Sequence, residues 1–194
     1  LVGSEMCIRD REMTDEEYML RAVELAKKGT GWTNPNPLVG AVIVKGGRII
    51  GEGYHKKYGG LHAEREALAS ANEDVSGATI YVTLEPCCHY GKQPPCVNAI
   101  IEAGIKRVVI GSYDPNPLVA GKGVDILREH NITVDDKLVC SEECKSLNYV
   151  FFNYIKEKKP YVILKYAQSL DGKIATHTGL SQWITCLLYT SPSP

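Results

Sequence analysis

No stretch of this 194-residue chain is apolar over anything near the roughly 20 positions that a membrane-spanning helix needs. The N-terminus also lacks the succession of basic region, apolar core and small-residue cleavage site that marks a secretory leader. A soluble, cytoplasmic protein with no membrane partner is therefore expected. An excess of charge of one sign is missing too, since 22 basic and 23 acidic residues leave a net charge of -1. A face that binds a polyanion usually shows as a basic surplus, so no nucleic-acid partner is expected and a small substrate is favoured. Large aromatic platforms are scarce, with two Phe and two Trp, which argues further against stacking on single strands. Disulfide scaffolding has no support. The seven cysteines are an odd number, the 44% apolar share is enough for a core at this length, and no Cys-x-x-Cys redox pair occurs. Metal ligation or free thiols are left for them.

What is present is His62-Ala63-Glu64, followed by Pro86-Cys87 and then Pro95-Cys96. One imidazole and two thiolates are the donor set of a zinc ion held by three protein ligands, which leaves a fourth tetrahedral position open to water. A glutamate two residues after the histidine is then free to carry protons, the arrangement of zinc nucleobase deaminases. Two other readings stay open on these residues. Cys88 could replace its neighbour as ligand, and His89 could close the site as a fourth ligand, giving a non-catalytic zinc-organised module. A deaminase acting on tRNA or another nucleic acid would share the same zinc chemistry.

Along the chain, residues 1–12 precede the first helix signal, a capping box from Thr14 to Glu17, and are expected to be a non-native leader, with Met13 as the start. Residues 186–194 are expected to be a non-native tail. Tyr18, Ala22, Leu25 and Ala26 at helical spacing predict a first helix that stops at Gly29. Strands are expected over 39–45 and 48–53, joined at Gly46-Gly47, and over 78–84, 106–111 and 132–134. Helices are expected over about 62–72, 96–103, 123–130 and 141–157, and a further strand over 160–169. Strands alternating with helices predict an α/β fold with helices on both faces of one sheet. The expected division is a catalytic domain over 13–157 and the start of another over 158–185.

Four stretches carry a resemblance to a known family. Asn34-Pro-Asn36-Pro-Leu-Val-Gly40, His62-Ala-Glu64, Thr83-Leu-Glu-Pro-Cys-Cys-His-Tyr-Gly-Lys-Gln-Pro-Pro-Cys96 and Asp114-Pro-Asn116-Pro-Leu-Val-Ala-Gly121 resemble the riboflavin-biosynthesis pyrimidine deaminases, which form the N-terminal half of a bifunctional deaminase/reductase. The separation of Cys87 from Cys96 is similar to this branch and unlike the Cys-x-x-Cys of many cytidine and tRNA-adenosine deaminases. The resemblance implies a three-layer α/β/α cytidine deaminase-like fold around a mixed sheet, and one zinc per chain held by His62, Cys87 and Cys96. It implies Glu64 as catalytic proton carrier and Asn36, His55, Lys92, Asp114 and Asn116 as contacts to a small phosphorylated pyrimidine. Taken by themselves, the Asn-Pro and Asp-Pro pairs suit turns equally well. The implied reaction is zinc-dependent hydrolytic deamination of a 2,5-diamino-6-ribosylamino-pyrimidinone 5'-phosphate to the aminouracil, and homo-oligomers are compatible with the family. Ser169-Leu-Asp-Gly-Lys-Ile-Ala-Thr176 and Gln182-Trp-Ile-Thr185 resemble the opening of the family's reductase domain, truncated here. That implies NADPH as a cofactor of the full-length family member only, with no reductase activity expected from this chain.

Overall fold

The computed structural model describes residues 13–116 and 119–179, in two compact units that part between Lys159 and Pro160. The expected leader and tail, and Gln182-Trp-Ile-Thr185, lie outside the described residues. No helix among the described residues is long and apolar enough to cross a membrane.

The first unit opens with α1 (Asp15–Lys27), whose N-cap Thr14 accepts from the Glu17 amide while the Glu17 carboxylate accepts from the Thr14 amide. This reciprocal box satisfies two N–H groups that the helix leaves without partners. β1 (Gly40–Lys45) and β2 (Arg48–Tyr54) form a hairpin, and both turn residues, Gly46 and Gly47, have positive φ, the conformation a two-residue turn of this hand demands. There follow α2 (Ala63–Ser70), β3 (Thr79–Val82), α3 (Cys96–Glu102), β4 (Arg107–Ile110), α4 (Lys122–Glu129) and β5 (Thr133–Asp135). The five strands form one mixed sheet in the order β2-β1-β3-β4-β5. β1 is antiparallel to both of its neighbours, and β3, β4 and β5 are parallel.

Alternation along the strands divides the core in two. Ile43, Ile80, Val82, Val108 and Ile110 point to the face covered by α2, α3 and α4, and Val42, Val44, Tyr81 and Val109 to the face covered by α1. This is the expected three-layer α/β/α arrangement. α1 comes so close to β1 that a Cβ on Gly40 would fall on the carbonyl of Ala22, and α2 approaches β2 as closely at Gly53. Only a residue without a side chain permits such contact.

On the α1 face, Arg107 reaches Asp15 with both terminal nitrogens, at 3.0 and 2.5 Å, and Asp15 also accepts from the Tyr81 hydroxyl. The guanidinium holds the Asp15 carboxyl below its usual range. A depressed carboxylate pKa stabilises the fold above the unfolded-state value of about 3.9, and that contribution disappears as pH falls through the folded-state value. Asp15→Asn is expected to lower stability at pH 7 by about 1 kcal/mol, the figure for a pair this exposed and screened, with the gap to the parent closing as pH falls through the depressed folded-state value. Thermal melts of both proteins across pH 2–8 check this; a constant gap at all pH values would contradict it.

Two expectations need correction. The single helix over 141–157 is two, α5 (Ser141–Ser146) and α6 (Tyr149–Glu157), because Asn148 leaves the helical conformation at φ -124, ψ 26. Its side-chain amide pairs with the main chain of Leu38 instead, accepting from the N–H at 2.7 Å and donating to the carbonyl at 2.8 Å. In the second unit the expected strand over 160–169 does not form. Its apolar residues stand in solvent, Val162 at 83% and Leu164 at 81% exposure, and its local order is a turn in which Ser169 and Lys173 bond one another. A strand gains its hydrogen bonds only from a neighbour, and the described residues supply none there.

Candidate zinc site and substrate pocket

Three chain segments converge beyond the C-terminal ends of β3 and β4. His62 is the N-cap of α2, Glu64 lies in that helix's first turn, Cys96 is the first residue of α3, and Cys87 follows β3 by five residues. Arg65 on α2 donates to the Pro95 carbonyl at 3.2 Å and so ties the starts of the two helices together. The Cys96 amide donates to Cys87 Sγ at 3.3 Å, aiming a main-chain dipole at that sulfur.

His62 Nδ1 stands 3.5 Å from Cys87 Sγ and 3.3 Å from Cys96 Sγ, and the three donor atoms lie within 4.8 Å of one another. Zinc bound tetrahedrally, with Zn–S near 2.3 Å and Zn–N near 2.05 Å, separates nitrogen from sulfur by about 3.5 Å. The residues therefore fit zinc in spacing as well as in donor type. Cys88 and His89, the alternative ligands, are not in this cluster, and among the described residues no fourth Cys, His or carboxylate joins it. A hydrogen bond with Cys96 draws the Cys87 pKa down to about 4, and the same bond pushes Cys96 up. The hydrogen bond with Cys87 raises His62. Glu64 is 3% exposed, and burial, with the Cys87 charge, pushes its pKa up to about 7.

Beside these residues is a cavity of about 340 Å³. It is lined by all five residues expected to touch substrate: Asn36, His55, Lys92, Asp114 and Asn116. His55 is 2% exposed, with burial lowering its pKa, and both of its ring nitrogens are engaged. Nδ1 meets the Leu61 carbonyl at 2.9 Å, which can only accept, so Nδ1 carries the proton and Nε2 must accept from Asn36 Nδ2 at 3.1 Å. Asn36 is thereby oriented with its amide nitrogen inward. Asp114, half-buried and with its pKa raised by burial, accepts the Asn116 amide at 2.8 Å. Lys92 Nζ sits over the Tyr58 ring, 4.0 Å from its centre.

Residues not anticipated from sequence also shape the cavity. Phe151 and Ile155 of α6 line it, and the Asn148–Leu38 pairing fastens α6 to the segment that carries Asn36. The asparagine at the border between the polar 141–146 segment and the aromatic run after it was the available signal, since such a residue competes with helix for main-chain partners. The Glu85 carboxylate, 4% exposed, was the other omission.

Comparison with known proteins agrees with this geometry. The family model described as "Cytidine and deoxycytidylate deaminase zinc-binding region" matches residues 12–112, just over half of the chain, and that described as "RibD C-terminal domain" matches 160–189. The riboflavin biosynthesis protein RibD of Actinobacillus pleuropneumoniae is 61% identical over 175 residues, covering 90% of this chain and 46% of that protein. A solved structure from Thermotoga maritima, a diaminohydroxyphosphoribosylaminopyrimidine deaminase/5-amino-6-(5-phosphoribosylamino)uracil reductase, is similar with a TM-score of 0.84 and 58% identity, over 90% of this chain and 50% of that one. RibD of Acinetobacter baumannii gives 0.83 and 51%, over 89% and 48%. The chain thus spans about half the length of these three relatives. The resemblance drawn from the motifs is borne out: the chain belongs to the cytidine and deoxycytidylate deaminase zinc-binding family, with RibD proteins among its relatives.

Proposed function

We propose that this chain is a zinc-dependent hydrolase that deaminates a 2,5-diamino-6-ribosylamino-pyrimidinone 5'-phosphate to the corresponding aminouracil. The observation that carries the reading is the pairing of a three-donor zinc cluster with a buried carboxylate at the wall of a cavity large enough for one nucleotide-sized molecule. His62, Cys87 and Cys96 would hold the metal. Zinc in that position supplies the Lewis acidity that brings the pKa of water close to neutrality.

Glu64 is assigned the proton traffic. Its carboxylate takes a proton from the attacking water and delivers it to the ring nitrogen next to the carbon under attack. It then moves a proton from the new hydroxyl to the exocyclic amine, so that the C–N bond breaks, ammonia leaves and a carbonyl remains. Burial keeps those protons from exchanging with bulk water. Asn36, held with its nitrogen on His55, offers its carbonyl oxygen to a donor on the substrate. Lys92, on the loop between the two cysteine ligands, supplies the cation for the phosphate, and Asp114 and Asn116 bond the remaining polar groups. His55 lines the same wall and fixes Asn36.

We read 13–157 as the deaminase domain and 158–185 as the opening of a reductase domain, in keeping with the second family match. NADPH is a cofactor of the full-length family member through that second domain, and no reductase activity is assigned to this chain. The test is incubation of zinc-loaded protein with the phosphorylated diaminopyrimidine, with cytidine and with a tRNA, ammonia release being measured. Turnover of the first alone is expected. Release from tRNA alone would overturn the substrate assignment, and release from none would overturn the activity.

A further inference from the structure

Glu85 lies between the last residues of β3 and the ligand Cys87, yet its carboxylate turns away from the cysteine toward the connection between β4 and α4. Oε2 accepts the amide of Asp114 at 3.4 Å and that of Gly121 at 3.0 Å, and Oε1 accepts the amide of Gly123 at 3.0 Å. These partners are main-chain donors, so both oxygens must act as acceptors. Asp114 and Gly121 sit at opposite ends of the segment that carries Asn116, and Gly123 lies in the first turn of α4. The Glu85 amide donates to the Ser112 carbonyl at 2.9 Å, and the Ser112 hydroxyl donates to the Thr83 carbonyl at 3.0 Å. One buried side chain therefore gathers both ends of a pocket-lining loop onto the strand end that delivers a zinc ligand.

The geometry points to Glu85 as the positioning residue that sets the loop bearing Asp114 and Asn116 for substrate binding. Its consequence for turnover rests on the deaminase reading above, whereas the clamp itself stands on hydrogen-bond geometry. Glu85 is among the residues that line the pocket, but its carboxylate is turned onto the amides of the loop, and the metal ligands keep their own contacts without it. Losing the clamp should loosen the loop and spare the zinc cluster.

Glu85→Gln replaces one accepting oxygen by a donor and sets N–H against N–H at Gly121 or Gly123. In the full chain loaded with zinc, KM for the phosphorylated diaminopyrimidine should rise about tenfold or more, with kcat within threefold and zinc content unchanged. Amide hydrogen exchange at Asp114, Gly121 and Gly123 should quicken by at least tenfold. Because Glu85 acts through the loop, adding Glu85→Gln to a variant that already carries Asp114→Ala and Asn116→Ala should raise KM less than twofold beyond that loop variant. A KM within twofold of the parent for Glu85→Gln alone, or full additivity with the loop variant, would overturn the positioning role even if the protein melts earlier. Should Glu85→Gln fail to fold, Glu85→Asp, which keeps the charge and shortens the reach by one methylene, is read in the same way. If the parent chain releases no ammonia, the functional reading fails on its own, and the three amide exchange rates still decide the clamp.

Discussion

Glu64→Gln is expected to bind zinc at one ion per chain and to release ammonia some 10²–10⁴-fold more slowly than the parent, the range attributed to a positioned acid-base group. The two side chains have the same shape, and Glu64 is 3% exposed, so the amide occupies the same volume in α2. The amide can still meet the Cys96 sulfur as the carboxyl does, so His62 Nδ1 should keep its distances of 3.5 Å to Cys87 Sγ and 3.3 Å to Cys96 Sγ. What an amide cannot do is take up a proton from water and return it. Metal analysis beside an ammonia assay separates the two roles. Parent-level turnover in the variant would refute the proton-carrier assignment, and loss of zinc would make Glu64 a partner of the metal instead.

Gly40→Ala is expected to produce the largest loss of stability, about 3 kcal/mol or more, although it adds only a single methyl group. The new Cβ would overlap the carbonyl of Ala22 and press on the Ala26 nitrogen at 2.9 Å, both main-chain atoms of α1 that cannot turn aside. Either α1 lifts from the sheet, uncovering Met19, Ala22 and Val23, or β1 shifts and breaks its register with β3. Gly40 also exchanges hydrogen bonds with Thr83, donating to its hydroxyl at 3.1 Å and accepting its amide at 3.1 Å. Movement there reaches the strand end that leads to Cys87, so zinc retention should fall along with the melting temperature. A drop of roughly 10 °C is the expected scale for a protein of this size, and a melt within 2 °C of the parent would show that the helix can yield.

The elements that were legible in the chain are those whose signals are local. The Thr14–Glu17 box, the Gly46-Gly47 turn and the β-branched runs of β3 and β4 each specify their own conformation through neighbours a few residues away. The candidate zinc cluster was legible because its donor types are rare and chemically exclusive, even though 25 and 34 residues separate His62 from the two sulfurs. Contacts that depend on a distant main chain left no such trace. Asn148 breaks the last helix for the sake of Leu38, 110 positions earlier, and nothing near residue 148 announces that partner. Glu85 reads in sequence as one more acidic residue beside a ligand, and its work is visible only once three amides surround it. The strand expected over 160–169 failed for the converse reason, since its composition was right and the described residues give it no neighbouring strand.

The chain of contacts from Leu61 through His55 to Asn36 has a sense of direction. A peptide oxygen that can only receive hydrogen dictates where the imidazole keeps its single proton, and the imidazole dictates which end of the carboxamide faces the ligand. The polarity displayed to an incoming ring is thus written by the backbone, two relays upstream of the group that displays it. Changing the Leu61 side chain should pass unnoticed, whereas turning that one peptide plane over would reverse the message the pocket presents.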